Sequence, residues 1–191
     1  MKQQNNRGRL RRQLKEAWRD TMSGPYLDQA INSERALQVH LAARLMNAFG
    51  EWGARRQLFI EPMVSVNGGE NRLHPDILIC NTREVIGIVE LKYQPRTRPS
   101  YTKDFRSLES LHWDADQIEI VNGRYRGPNR GGTCFAISGS PLFVWAGVYA
   151  APYRTIPEQP PSDGIASNLL VLHAVTQSDD PPDLHAGTKR L

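Results

Sequence analysis

Leu10, Leu14, Trp18 and Met22 recur every fourth residue, so the chain opens as a helix with one apolar stripe and arginines beside it. Ser23-Gly24-Pro25 then punctuates it. A second helical pattern runs from Asn32 or Ser33 to Phe49, with Leu37, Leu41, Leu45 and Phe49 on one face and Gly50 as a stop signal. Glu34 departs from that pattern. At about 100° per residue it lies roughly 20° from the direction of Leu41 and Leu45, so it points with them toward the body. A carboxylate in a first turn also has a plain account, because it favours the helix dipole.

Residues 57–61 and 63–66 read as a strand interrupted or ended by Pro62, and residues 67–71 as a turn. Two apolar runs then flank a polar turn of Asn81 to Glu84. Asp76 opens the first run; Glu90 and Lys92 close the second. Alternation places Ile86, Ile88, Glu90, Lys92 and Gln94 on one face of the second run, and Val85, Gly87, Val89, Leu91 and Tyr93 on the other. Both faces begin apolar, which predicts a central strand of a mixed α/β sheet, covered on both sides. One face turns polar at its last three positions, a local inconsistency of the kind that marks a site. Paired as a hairpin, the two runs bring Asp76 to the end of the sheet that carries Glu90 and Lys92.

Residues 95–99 form a stiff basic connector, and a helix is expected from Thr102 or Lys103 to Ile118 with Phe105, Leu108, Leu111 and Ala115 inward. Asp104 falls in its first turn, where capping accounts for it. A short hairpin is expected around Asn122-Gly123. The following loop holds Arg124, Arg126 and Arg130 with no acid among them. It can hold phosphates through guanidinium and backbone donors, or simply be solvated. Strands are expected at 133–137, 142–150 and, last, 169–175, with a proline-rich irregular connection at 151–164. The implied division is a basic N-terminal helical arm (1–24), a main domain (25–176) and a loose C-terminal tail (177–191).

Composition narrows the classes. A chain of 191 residues suits one domain with extensions. No apolar run reaches the ~18 residues of a membrane span, and the polar N-terminus lacks a secretory apolar segment. Cys80 and Cys134 are the only cysteines and form no CxxC pair, which argues for a cytoplasmic setting and against cysteine-bound zinc. Net charge is +4, but residues 1–19 alone carry +6, so the remainder sums to −2. Affinity for a polyanion would come from local patches or from the arm, and deleting residues 1–22 is expected to flatten its salt dependence. Neither GxSxG, HExxH nor GxxxxGK[ST] occurs, so acyl transfer, zinc hydrolysis and a triphosphate cradle lack support.

The central stretch has the groups for metal-assisted phosphodiester hydrolysis. Mg²⁺ lowers the pKa of bound water and acts as a Lewis acid, and it takes one or two carboxylates plus other oxygens. Asp76 and Glu90 are suitable ligands, with the Leu91 carbonyl completing the protein's share. Lys92, on the face of Glu90, can orient water or offset phosphate charge. Gln94, next on that face, and His74, two before Asp76, are candidate substrate contacts.

Glu34 on an early helix, Pro75-Asp76 opening a strand and Glu90-Leu91-Lys92 closing the next resemble the PD-(D/E)xK nuclease superfamily. The resemblance covers roughly residues 30 to 150. It implies a restriction-endonuclease-like αβββαβ core, a mixed central sheet flanked by helices. It also implies Asp76 and Glu90 as metal ligands, Glu34 as an accessory and often water-mediated ligand, and Lys92 as the water-orienting or charge-stabilising group. The expected activity is a Mg²⁺-dependent endonuclease, Mn²⁺ substituting, acting on DNA in preference to RNA, with restriction or another defence role by analogy. One active site cuts one strand, so a duplex cut calls for a homodimer or two events. A separate recognition subunit stays open. The alternative is a catalytically silent module that binds nucleic acid or a partner protein.

Overall fold

The computed structural model describes residues 6–51, 53, 55–69, 72–113, 116–120, 133–150, 163–177 and 180–191. Arg124, Arg126, Arg130, the turn expected at Asn122-Gly123 and the connection at 151–162 lie outside them. The fold is mixed α/β: a mostly antiparallel open sheet with helices on both faces.

β1 (Gln57–Ile60), β4 (Ile77–Cys80) and β5 (Glu84–Gln94) run antiparallel in that order. β7 (Thr133–Ala150) lies parallel to β5, and β8 (Leu169–Thr176) parallel to β7. The N-terminal end of β7 also pairs antiparallel with β6 (Gln117–Ile120), which continues to β2 (Val64–Val66) and β3 (Arg72–Leu73). Pro62 therefore separates two strands that lie five places apart in the order β1-β4-β5-β7-β6-β2-β3. Five strand spacings of a flat sheet are about 24 Å, yet the chain from Ile60 to Val64 reaches at most about 14 Å. The sheet has to curl, and Phe59 of β1 meets Phe135 of β7 edge-on, 5.8 Å between centroids, across two intervening strands.

α1 (Asn6–Thr21) and α2 (Glu34–Glu51) cover one face of the sheet, where Leu14, Trp18, Leu41 and Leu45 meet Ile79, Val89 and Val144. α3 (Thr102–Trp113) covers the other, where Phe105, Leu108 and Leu111 meet Leu78, Ile88 and Trp145. β5 is buried on both faces, as its double apolar pattern predicts.

The structure corrects several expectations. Ser23-Gly24-Pro25 does not break the chain; it lies in a π-helical turn, Met22–Tyr26, that prolongs α1. α3 ends at Trp113, and Ile118 belongs to β6. Its apolar stripe misleads because Ile118 falls seven residues after Leu111, close to two helical turns. β7 is one strand through 133–150 rather than two. The tail expected to be loose carries β9 (Asp183–Ala186) and β10 (Lys189–Arg190), and β9 pairs with β8. An edge left bare at β8 would expose unpaired backbone groups, and this hairpin covers it. Leu184 and Ala186 pack on the same core cluster as α1, so the boundaries expected after residues 24 and 176 match no break in packing among the described residues.

The basic arm is a docked helix. Leu10, Leu14, Trp18 and Met22 are all buried. Arg11 reaches back to donate to the carbonyl of Leu169 at 2.9 Å, and Trp18 Nε1 donates to the carbonyl of His173 at 3.3 Å. Deleting residues 1–22 would thus remove core rather than a free arm. Trp18→Ala is expected to cost about 3–5 kcal/mol, read as a lower denaturation midpoint. A midpoint equal to that of the parent chain would place α1 outside the cooperative unit.

Candidate active site

The hairpin of β4 and β5 sets the register. Ile77 faces Val89, so the next positions outward, Asp76 and Glu90, come opposite each other beyond the last ladder pair. Both lie on the α3 face, because Leu78 and Ile88 do. The ladder's end leaves the Leu91 N–H unpaired by β4, and it donates instead to Asp76 Oδ2 at 2.6 Å. In an antiparallel strand the N–H and C=O of one residue point to the same side. The Leu91 carbonyl therefore faces the side that Asp76 occupies. Gln38 of α2 and the Glu61 N–H both donate to the Asp76 carbonyl, at 2.8 and 2.9 Å, which pins the residue's backbone.

Around this pair a cleft of about 470 Å³ is lined by Glu34, His74, Asp76, Glu90, Leu91 and Lys92, together with side chains of β3 and α3. Glu90 is 7% exposed and accepts a 2.8 Å hydrogen bond from Ser107 Oγ of α3. Lys92 Nζ lies 3.5 Å from Asp104 Oδ1 and 3.6 Å from Glu34 Oε2. Glu34 comes from the helix on the opposite face and reaches around the sheet end, where it also accepts the Tyr93 N–H at 3.1 Å. Asp104 is buried and accepts from Trp145 Nε1 at 3.1 Å. That bond depends on Gly147: a Cβ there would fall 2.3 Å from the Trp145 ring, so the indole lies across the space that a side chain would fill.

The charges follow from burial. Asp76 is raised to about 6, first by desolvation and then by Glu34 and Asp104, against the pull of the Leu91 N–H and Lys92. Glu90 is raised to about 8, by desolvation and then by Asp76. Burial and their mutual repulsion therefore favour one proton held by the opposed pair at neutral pH. Burial alone would lower the Lys92 ammonium, but Asp104 and Glu34 outweigh it and hold it above the usual lysine range. Lys92 is thus a permanent cation and donor, unsuited to act as a base near neutrality.

Of the expected site residues, Glu34, His74, Asp76, Glu90, Leu91 and Lys92 meet in this cleft. Glu34 differs in its duty: its carboxylate serves Lys92 and the Tyr93 N–H rather than joining Asp76 and Glu90. Gln94 is not among the residues lining the cleft, and its Oε1 accepts the Ser100 N–H at 2.8 Å, which fixes the connector after β5. Asp104 is the residue that capping had explained away. Helical geometry puts it about 20° from Leu111, the same signal that singles out Glu34. Ser107, with an ordinary polar identity, gave no such signal.

Compared with known proteins, the chain matches no family model and no curated sequence. Among the described residues, no group of three or more His, Cys, Asp or Glu side chains is arranged to hold a metal ion. The donor set that does converge is smaller: two carboxylates and one backbone carbonyl. It fits a hard divalent cation, which needs only one or two carboxylates. Burial first, and neighbouring negative charge second, raise the pKa of both carboxylates, and a bound cation would offset both effects. No helix of the described residues is long and apolar enough to cross a membrane.

Proposed function

We propose that the protein is a Mg²⁺-dependent endonuclease of the PD-(D/E)xK type, hydrolysing phosphodiester bonds in nucleic acid, DNA before RNA. The observation that carries the reading is the convergence of Asp76, Glu90 and Lys92 in one cleft. The order α2, β1, β4, β5, α3, β7 supports the αβββαβ assignment, with β2 and β3 inserted before β4 and β6 inserted before β7. Asp76, Glu90 and the Leu91 carbonyl would hold Mg²⁺ or Mn²⁺, which when bound supplies Lewis acidity and a more acidic water.

The chain's own residues supply the rest. The Leu91 N–H fixes Asp76, and Ser107 fixes Glu90, so neither carboxylate has to reorganise when charge develops. Lys92 is held on the Glu90 face by Asp104 and Glu34, with its proton retained. From there it donates to the attacking water or to a phosphate oxygen and offsets charge in the transition state. Trp145 orients Asp104, which makes the indole a support for the lysine rather than a group that touches substrate.

A panel of single-stranded, duplex and branched DNA and of RNA, assayed with Mg²⁺, Mn²⁺ or chelator, tests the proposal. Cleavage of at least one substrate with metal, and of none in chelator, is the expected result. Binding with no cleavage across the panel would replace it with the silent nucleic-acid-binding module.

A further inference from the structure

The walls of the cleft carry a feature that its floor does not explain. Arg72 of β3 and Lys103 and Arg106 of α3 all line the cleft. All three are exposed. Among the described residues none of them is held in an ion pair, whereas Arg35 and Arg190 pair with Glu61 and Asp183. The more buried part of the cleft holds Asp76, Glu90 and Asp104, with Glu34 beside them, against a single cation, Lys92. With the three rim groups, four basic residues face four acidic ones, and the sign of charge changes from floor to rim.

The cleft follows α3 from Lys103 to Ser110, eight residues spanning about 10 Å of helix. A stacked strand carries one phosphate per about 3.4 Å. The walls are therefore long enough for about three successive phosphates, while the floor has room for reaction at one.

We propose that Arg72, Lys103 and Arg106 grip the phosphates on either side of the reacting one, so that the cleft takes an internal stretch of a polynucleotide strand rather than a terminal or isolated phosphodiester. This rests on the nuclease reading for the reacting phosphate, but not for the grip itself. The rim groups meet phosphate oxygens, which DNA and RNA share, and guanidinium groups suit them through paired N–H donors.

The test measures binding of labelled DNA and RNA single strands of one sequence, in chelator, over a range of salt. The doubly substituted Arg72→Ala, Arg106→Ala protein is compared with the parent and with Arg83→Ala, which alters the turn at the far end of the β4–β5 hairpin. Each phosphate that the rim no longer neutralises should flatten the log–log salt slope by about 0.7, and affinity should fall about tenfold for the double variant. Arg83→Ala should bind as the parent does, and the two strands show which backbone the rim prefers. Hydrolysis of bis(p-nitrophenyl) phosphate, a diester with a single phosphate, should be equal in all three proteins given Mg²⁺. Unchanged binding and slope in the double variant, an equal loss in Arg83→Ala, or no binding of either strand by the parent would overturn the rim. A selective loss of the small diester's hydrolysis in the double variant would overturn it too, by assigning these residues to the reacting phosphate. Rim-dependent binding with no hydrolysis of any substrate would instead leave the rim standing and remove the nuclease.

Discussion

If the proposed nuclease reading holds, Asp76→Asn and Lys92→Ala should each lower Mg²⁺-dependent cleavage by about three orders of magnitude or more, while moving stability in opposite directions. Loss of one group aimed at transition-state charge costs about 10²–10³ in rate, and Asp76 is also one of the two carboxylates proposed to hold the metal. Asparagine keeps an acceptor for the Leu91 N–H but carries no charge. Because burial raises Asp76 to about 6, removing its charge should stabilise the metal-free protein near pH 8, by on the order of 2 kcal/mol. Lys92→Ala strands the buried Asp104 without its cation, and should destabilise by about 2 kcal/mol. Adding Asp104→Asn to Lys92→Ala should restore the thermal midpoint without restoring cleavage. That double variant separates the lysine's chemistry from its place in the ion-pair network. Cleavage by Asp76→Asn and Lys92→Ala within tenfold of the parent would remove both residues from the mechanism.

The central hairpin was legible in the sequence because two local rules suffice for it. Alternation assigns faces, and a short polar turn fixes which ends meet, so Asp76, Glu90 and Lys92 follow without tertiary information. Glu34 was legible from helical phase alone. Asp104 obeyed the same phase, but a first-turn aspartate already has a local explanation, and its partner Trp145 lies 41 residues away. Gln94 fails in the other direction. Alternation gives it the right face, yet strand β5 outruns the cleft there, and the connector's backbone claims its carbonyl. The C-terminal strands were hidden because an edge hairpin needs few apolar residues: β8 supplies the template, and composition alone reads as loose. The basic stripe of α1 shows the limit of charge patterning, since the apolar positions between the arginines decide where the helix goes.

In chelator, stability should fall as pH rises, and this should be the largest solution effect of the site. Glu90 is raised to about 8 and Asp76 to about 6 in the folded chain, against about 4.3 and 3.9 for ordinary carboxyls. Between those limits the native state binds more protons than the unfolded one, so the slope of unfolding free energy with pH is negative. The thermal midpoint measured in chelator should therefore fall from about pH 5 to about pH 8 and level off above that. Glu90 accounts for most of the drop, on the order of 3 kcal/mol once its slight exposure is allowed for. Glu90→Gln should be close to the parent near pH 5 and clearly more stable above pH 8. Millimolar Mg²⁺ should act in the reverse sense, because a cation between the carboxylates competes with the shared proton. Its stabilisation of the parent should grow with pH and be lost in Glu90→Gln. A parent midpoint that is flat with pH in chelator would mean that the two carboxylates are not buried together, and the proposed metal site would lose its physical basis.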